Sequence, residues 1–243
     1  MEPSAIPPGE IHLWRASLEV SDAQLSDLRL LLDQRERKRA KRFRIPRAER
    51  RFVAARTVLR TLLGRVMGTP PETVEFSYGE RGKPAVAGAP HFNASDSGET
   101  VVVALASEDL GIDIEDVRPL PHPDRLARRI CTENELEHLA AVPEPDREVS
   151  LLRLWTVKEA ALKAIGLGLP GGMRNVEADL QPGVAPQLRR LCGRDGEWSL
   201  LTPDIGPGLL CSIVVRGTGW RLVRRDFSFH PADAGTSEHR RYA

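Results

Sequence analysis

Four side chains in two short segments have the types and the spacing needed to handle a cation and an anion together. Residues 110–115 alternate strictly between apolar and polar, so Asp113 and Glu115 share one face of a predicted strand. Carboxylates at this spacing lie about 7 Å apart at Cα, which lets their oxygens converge on one cation. Glu159 and Lys163 lie one turn apart on a predicted helix. A lysine and carboxylates so placed indicate a site that binds a metal and an anionic group.

Each segment also has an ordinary structural interpretation. A strand with its polar side in water shows the same alternation, and this interpretation holds unless a third ligand is present. A Glu-to-Lys pair at i,i+4 is common on solvated helix faces and contributes only about 0.2–0.5 kcal/mol. Lys158 favours a site, because it falls inside the apolar stripe of the helix, where a purely structural helix would not place a cation.

The helix that carries Glu159 is predicted to run from Leu151 to a stop near Gly166. The segment has few β-forming residues and no internal Pro or Gly, and a glycine follows its last apolar residue. At 100° per residue, its core-facing stripe comprises Leu151, Leu154, Val157, Ala161, Leu162 and Ile165.

A basic segment indicates an anionic partner. Between residues 35 and 65 the chain has thirteen Lys and Arg residues against two acidic ones, Glu36 and Glu49, while the net charge of the whole chain is only +1. The partner must therefore fit a local patch. One alternative is a solvated basic face. Another is a nucleic-acid-binding module, but this patch offers only Phe43 and Phe52 for base stacking.

The remaining segments predict helices and short strands. Strands are expected at 11–20, 74–78, 100–106, 176–180, 198–201, 209–215 and 220–224. Helices are expected after Ser21, at 35–44, from 47 to about 68, at 123–130 and from Thr132, which begins a capping box. Residues 90–98 are predicted to form a polar loop, and residues 79–84 a turn. Both halves combine helices with a few antiparallel strands, which suits a pseudo-duplicated α+β pair.

Length and composition limit the class of protein. A chain of 243 residues is long enough for two subdomains of about 100 residues each. No apolar run approaches the roughly 18 residues of a membrane span, and the N-terminus does not resemble a signal peptide. Cys131, Cys192 and Cys211 form neither a disulfide framework nor a zinc pattern. We therefore expect a cytoplasmic protein.

The two segments with carboxylates occur in a family pattern. Residues 111–115 and 155–163 together resemble the paired signature of the 4′-phosphopantetheinyl transferases, specifically the longer, Sfp-type branch. Residues 81–84 (Arg-Gly-Lys-Pro) and 92–95 (Phe-Asn-Ala-Ser) resemble the upstream coenzyme A motifs of that family, and the basic N-terminal helices also match. The motifs keep a fixed order and cover residues 10 to 180.

The resemblance implies an α+β fold of two pseudo-twofold-related subdomains, each a small antiparallel sheet with packed helices. The subdomains would comprise residues 1–110 and 111–228, followed by a flexible tail at 229–243. Coenzyme A would bind between them as the substrate. The implied reaction is Mg²⁺-dependent transfer of 4′-phosphopantetheine to a serine of an apo acyl or peptidyl carrier protein, releasing adenosine 3′,5′-bisphosphate. We expect a monomer that binds neither nucleic acid nor membrane.

The resemblance also implies roles for individual residues. Mg²⁺ would be held by Asp113, Glu115 and Glu159. Glu159 would also take the serine proton, and Lys163 would stabilise or protonate the leaving phosphate. Lys158 would hold phosphate from the side of the apolar stripe. The coenzyme-binding residues would be Arg51, Arg81, Gly82, Lys83, Pro84, Asn93, Ser95, Asp96, Lys158 and Lys163.

Asp96 departs from the family pattern, which usually has a His that contacts the phosphates of the coenzyme. An ionised Asp about 4 Å from a phosphate charge would cost about 4 kcal/mol at an effective dielectric near 20. Asp96 is tolerable if it points away, is protonated or helps to hold the metal. We expect retained activity with weakened or metal-dependent coenzyme binding. The alternative is a non-catalytic paralogue that binds coenzyme A or a carrier domain without transfer.

Overall fold

The computed structural model describes residues 6–168, 172–180 and 184–229. Within these ranges, no helix combines the length and the apolar character that crossing a membrane would require. The tail predicted at 229–243 lies outside the described residues from position 230 onwards.

The described residues form strands and helices in alternating groups along the chain. The strands are β1 (Glu10–Ser17), β2 (Ser77–Tyr78), β3 (Pro84–Ala85), β4 (His91–Ser97), β5 (Thr100–Ala106), β6 (Leu110–Asp116), β7 (Val176–Asp179), β8 (Gln187–Leu191), β9 (Trp198–Leu201), β10 (Leu209–Arg216) and β11 (Arg221–Phe227). The helices are α1 (Asp22–Leu30), α2 (Gln34–Ala40), α3 (Pro46–Met67), α4 (Pro123–Ile130), α5 (Glu133–Ala141) and α6 (Glu144–Ala164).

Two sheets and two short hairpins make up the β structure. The larger sheet has the order β11-β1-β5-β4 and the smaller one the order β6-β10-β9, while β2 pairs with β3 and β7 with β8. All of these pairs are antiparallel except β1 with β11. Apolar side chains of β1, β5, β6 and β10 form one shared core, and further cores lie under α3 and around α6. The predicted α+β class, with small sheets and packed helices, is confirmed.

The last strand does not belong to the second half of the molecule. β11 pairs in parallel with β1 over the whole of its length, from Arg221 opposite Glu10 to Phe227 opposite Ala16. Phe227 is buried in the core beneath α3. The division into subdomains 1–110 and 111–228 stays a prediction, and the final strand of the second one completes the sheet of the first half.

Helix boundaries follow local signals in the chain. Ser21 and Thr132 each form a capping box, which begins α1 and α5 as predicted. Pro46 lies in the first turn of α3, where its missing N–H costs nothing, and Gly68 ends that helix with a φ of 68°. The predicted helix at 35–44 is shorter in the structure, since α2 ends at Ala40.

Residues 91–97, predicted as a loop, form the edge strand β4. The strand pairs with β5 from His91 opposite Ala106 to Ser97 opposite Thr100. Its side chains alternate between two faces, and Phe92 is buried in the core beneath α3. Asn93, Ser95 and Ser97 lie on the opposite face, where they contact β6.

Candidate active site

The polar face of β4 joins the two halves of the molecule. The Asn93 side-chain oxygen accepts a hydrogen bond from the N–H of Ile112 at 2.9 Å. The hydroxyls of Ser95 and Ser97 accept in the same way from the N–H groups of the next alternate residues of β6, at 3.4 and 3.0 Å. Side chains thus replace the backbone ladder between β4 and β6. They hold the strand with the two predicted metal ligands beside β4.

Gly111 brings α6 close to the same strand. A Cβ atom at this position would lie 2.1 Å from the carbonyl oxygen of Ala160 and 2.3 Å from the amide nitrogen of Ala164. Both alanines are buried, and no larger side chain fits between helix and strand. This close approach positions Glu159 and Lys163 against the carboxylate of Asp113.

Asp113, Lys163 and Ser95 form a compact polar cluster. Lys163 Nζ donates to Asp113 Oδ1 at 2.6 Å, to the Ser95 hydroxyl at 3.0 Å and to the Ile112 carbonyl at 3.1 Å. The Ser95 hydroxyl in turn donates to Asp113 Oδ1 at 2.9 Å. One oxygen of Asp113 is therefore fixed from two sides, which sets the direction of the other.

Two buried carboxylate oxygens at this site are left without a partner. Asp113 Oδ2 and Glu159 Oε1 are inaccessible to solvent and have no hydrogen-bond partner among the described residues. Burial raises the pKa of Asp113, which the positive charge of Lys163 opposes. Burial also raises the pKa of Glu159, and the negative charge of Asp113 adds to that effect. Hard oxygen ligands in need of a positive charge fit a divalent ion such as Mg²⁺.

Glu115 lies nearby but is engaged elsewhere. Its charge contributes to the raised pKa of both Asp113 and Glu159, so the three carboxylates are electrostatic neighbours. Glu115 Oε2, however, accepts a hydrogen bond from Arg118 at 3.0 Å. Within the described part of the chain, no group of three or more acidic, His or Cys side chains is assembled around one point. The three-carboxylate metal site therefore stays a prediction.

Lys158 does not lie at this site. It is completely buried, and its Nζ contacts Glu135 Oε2 at 2.7 Å and the carbonyl oxygens of Met173 and Val176 at 3.1 and 2.5 Å. Glu135 itself is 2% exposed. The cation within the apolar stripe is explained by this internal partner, and the structure offers no opening to phosphate at Lys158. The coenzyme-binding role predicted for Lys158 is not supported.

Asp96 pairs with Arg51 at the edge of the site. Arg51 Nη2 donates to Asp96 Oδ2 at 2.8 Å, and both side chains are partly exposed. This arrangement differs from the three accommodations that we expected for Asp96, because a neighbouring guanidinium compensates the carboxylate. Arg51 keeps further N–H groups for an anion, but its positive charge is already partly balanced.

The predicted turn at 79–84 connects β2 and β3 and lines a large cavity. Lys83 Nζ donates to the carbonyl oxygens of Ala164, at 2.7 Å, and Leu110, at 3.1 Å. Burial lowers the pKa of Lys83. Gly82 adopts a φ of 83°, which the tight turn requires. Arg81, Lys83 and Pro84 line a cavity of about 720 Å³.

The same cavity is lined by residues that sequence reasoning missed. Arg194, Trp198 and Arg216 come from the last third of the chain, which shows no family motif. One signal was present in the sequence. Residues 193–196 read Gly-Arg-Asp-Gly, a turn pattern with an arginine between glycines, as at 79–82.

Comparisons with known proteins agree with the motif pattern. A model of the 4′-phosphopantetheinyl transferase superfamily matches residues 109–213, and a model of the 4′-phosphopantetheinyl transferase N-terminal region matches residues 14–108. The chain is 35% identical over 218 residues to the 4′-phosphopantetheinyl transferase HetI of Nostoc sp., covering 87% of this chain and 90% of that protein. The chain belongs to the 4′-phosphopantetheinyl transferase family.

Two further relatives place this transferase in the predicted branch. It is 30% identical over 183 residues to 4′-phosphopantetheinyl transferase psf-1 of Bacillus pumilus, covering 74% of this chain and 72% of the relative. It is 30% identical over 136 residues to 4′-phosphopantetheinyl transferase Sfp of Bacillus subtilis, covering 55% and 60% respectively. The prediction of an enzyme of the Sfp-type branch is confirmed.

Proposed function

We propose that this transferase moves 4′-phosphopantetheine from coenzyme A to a serine hydroxyl of an apo carrier protein, with Mg²⁺, and releases adenosine 3′,5′-bisphosphate. The observation that supports this proposal best is a pair of buried oxygens, Asp113 Oδ2 and Glu159 Oε1, which lack a hydrogen-bond partner among the described residues and lie near the ammonium of Lys163. Anionic ligands for a cation and a cation for a phosphate lie within one cluster. That combination is what cleavage of a diphosphate requires.

Asp113 and Glu159 would hold the metal ion. One oxygen of each is buried without a hydrogen-bond partner among the described residues, and Asp113 is held in place by Ser95 and Lys163. Glu115 would join them once its carboxylate turns away from Arg118. When bound, Mg²⁺ supplies positive charge to the diphosphate oxygens.

Glu159 and Lys163 would carry the proton and charge transfers. The serine oxygen forms a bond to the phosphorus of phosphopantetheine while the bond from that phosphorus to the bridging oxygen breaks. Glu159 accepts the serine proton, a role to which its raised pKa is suited. The electron pair of the broken bond stays on the nucleotide phosphate, which Lys163 stabilises from one helical turn further on.

Residues around the cluster would bind the coenzyme. Arg51 and Ser95 lie next to it, and Arg51 offers N–H groups beyond the one that Asp96 accepts. Arg81 and the rest of the 81–84 turn would hold the nucleotide next to Pro84, which lines two neighbouring cavities. Asn93 would mainly hold β6 in place, since its side-chain oxygen already accepts a hydrogen bond from that strand.

Intact-mass spectrometry of apo carrier proteins, after incubation with coenzyme A and Mg²⁺, tests the proposal. Acyl and peptidyl carrier proteins are offered separately, and we expect one phosphopantetheine adduct per carrier. Glu159→Gln should reduce the rate by about 10²–10⁴-fold, because it removes the general base. Glu137→Gln, an exposed position on α5, is the matched control and should retain the rate. Binding of coenzyme A with no adduct on any carrier would support the non-catalytic alternative instead.

A further inference from the structure

Arg118 lies two residues beyond the end of β6, next to a predicted metal ligand. Its Nη1 donates to Glu115 Oε2 at 3.0 Å and to the carbonyl oxygen of Asp116 at 3.2 Å. Within the described ranges, the carboxylate of Glu115 has no other hydrogen-bond or ion-pair partner, and Arg118 pairs with no other carboxylate. One arginine therefore fixes the orientation of the third predicted ligand.

The backbone on both sides of Arg118 is held in place. The N–H of Val117 donates to the carbonyl oxygen of Gly208, the residue before β10, at 2.8 Å. The N–H of Leu120 donates to Oε2 of Glu148, a residue of α6, at 2.9 Å. Because these bonds anchor the chain, an exchange of partners at this position is confined to side chains, which can rotate without moving the strand.

The pair of Arg118 and Glu115 lies beside the two carboxylates with spare oxygens. Burial is the largest cause of the raised pKa of Asp113 and of Glu159, and the negative charge of Glu115 adds to it at both residues. When all three carboxylates are ionised, Lys163 balances one of their charges and Arg118 a second. In the metal-free protein, Arg118 therefore reduces the mutual repulsion of the cluster.

Solvent weakens the pair of Arg118 and Glu115. Their side chains are 52% and 21% exposed, whereas those of the buried pair Lys158–Glu135 are 0% and 2% exposed. An exposed ion pair is weak because water competes with each partner for the other. A divalent ion carries twice the charge of a guanidinium and prefers carboxylate oxygens as ligands. Glu115 can therefore exchange Arg118 for such an ion.

On the basis of the proposed function, we propose that Arg118 is a positioning residue that competes with the divalent ion for the carboxylate of Glu115. In the metal-free protein it holds Glu115 away from Asp113 and Glu159. This accounts for the finding that the described residues gather no group of three acidic, His or Cys side chains around one point. Arg118 itself would not contact the ion, because both are cations, and it would act only through Glu115.

Isothermal titration of the metal-free full chain with Mn²⁺ tests this role, after thermal unfolding has shown that each variant is folded. Arg118→Gln should bind Mn²⁺ about two- to fivefold more tightly than the wild type, because the competitor is removed. Glu115→Gln should bind more weakly. Adding Arg118→Gln to Glu115→Gln should then change nothing, because the competition acts only through that carboxylate.

Arg153→Gln is the matched control for the loss of one positive charge. Arg153 is an exposed residue of α6 that forms no ion pair with the rest of the described chain, so its replacement should leave the Mn²⁺ affinity unchanged. A gain for Arg118→Gln of the same size in the Glu115→Gln background would overturn the proposal, because it would be a general effect of charge. Unchanged or weaker binding by Arg118→Gln, or a wild type that binds no Mn²⁺, would also overturn it.

The titration needs no carrier protein, so this proposal and the proposed function can fail separately. If the variants bind Mn²⁺ as expected but the wild type modifies no carrier, the proposed function fails and the role of Arg118 stands. If carriers are modified but the substitutions at positions 115 and 118 act independently on Mn²⁺ affinity, the role of Arg118 is wrong and the function stands.

Discussion

Helix α6 carries two lysines that each meet a carboxylate, and their surroundings differ. Lys158 and Glu135 are both buried, the lysine ammonium has three protein partners, and each oxygen of Glu135 has at least one. Lys163 meets Asp113 at 2.6 Å, but the lysine is 27% exposed and the second oxygen of Asp113 has no hydrogen-bond partner within the described ranges. The two lysines lie five residues apart on α6.

This difference separates a structural pair, Lys158–Glu135, from the pair that we propose to be functional, Lys163–Asp113. In a structural pair the desolvation cost of each charge is offset by protein partners, so nothing is left for a ligand. In the Asp113–Lys163 pair the compensation is incomplete, because Asp113 Oδ2 and Glu159 Oε1 have no hydrogen-bond partner in the part of the chain that the structure describes. A metal ion and a phosphate would complete it.

Lys158→Met should produce the largest loss of stability. The change leaves Glu135 buried without its cation, which costs about 3–5 kcal/mol of unfolding free energy. The same substitution at Lys163 should cost less, because that lysine is partly exposed and Asp113 keeps the Ser95 hydroxyl. Urea unfolding of the two variants measures both values. Equal losses, or a stable Lys158→Met protein that fails only in transfer, would remove the distinction between the pairs.

Gly111→Ala should disturb the Asp113–Lys163 pair more than the Glu135–Lys158 pair, because the new side chain would push α6 away from β6. The new Cβ would clash with the backbone of α6 at 2.1–2.3 Å, and overpacking of this kind costs about 1–3 kcal/mol. Lys163 lies at this contact and Lys158 does not. The rate of transfer should therefore fall by more than the loss of folded protein alone would cause. Gly79→Ala, with its nearest contact at 3.8 Å, is the control for thermal unfolding only, because Gly79 lies on the turn that would bind the coenzyme. Unchanged thermal unfolding and transfer would contradict the close packing of helix and strand.

Ser95→Ala should weaken metal binding by about tenfold, the usual effect of removing a residue that orients a metal ligand. Its hydroxyl donates to Asp113 Oδ1 at 2.9 Å and thereby leaves Oδ2 for a metal ion. Ser97 is a matched control, because its hydroxyl holds Asp116 in the same way at 3.1 Å, outside the cluster. Isothermal titration with Mn²⁺ compares the two variants. Equal affinities would show that Ser95 does not position Asp113.

Glu159→Gln should slightly stabilise the metal-free protein, by at most about 1 kcal/mol, the usual size of a partly exposed charge interaction. The pKa of Glu159 is raised in the folded state, so the folded protein binds its proton more tightly than the unfolded chain. The wild type therefore loses stability as pH rises through the folded pKa, and the variant does not. Thermal unfolding in a chelator at pH 4 and pH 8 should show the gain only at pH 8. With Mg²⁺ present, the order should reverse.

Much of the fold followed from local signals. The capping boxes at Ser21 and Thr132 and the stop at Gly68 are short-range features that operate within one turn. The candidate site residues Asp113 and Glu159 could be predicted from the alternation of a strand and the spacing of a helix. These patterns depend only on the chain close to each residue.

Features that depend on distant parts of the chain could not be predicted. The loop expected at 90–98 is strand β4, because its serines and Asn93 bond to β6 instead of water. Lys158 was assigned to phosphate because its partner, Glu135, lies on another helix. The return of β11 to β1 joins the two ends of the chain, and no local pattern indicates it.

The central claim is that Asp113 and Glu159 share one divalent ion. Electron paramagnetic resonance of bound Mn²⁺ tests it directly in the wild type, Asp113→Asn, Glu159→Gln and the double variant. We predict one strong site per chain, about tenfold or more weaker in each single variant, with the second substitution adding far less than the first. Independent, additive effects or unchanged Mn²⁺ affinity in both single variants would contradict the claim.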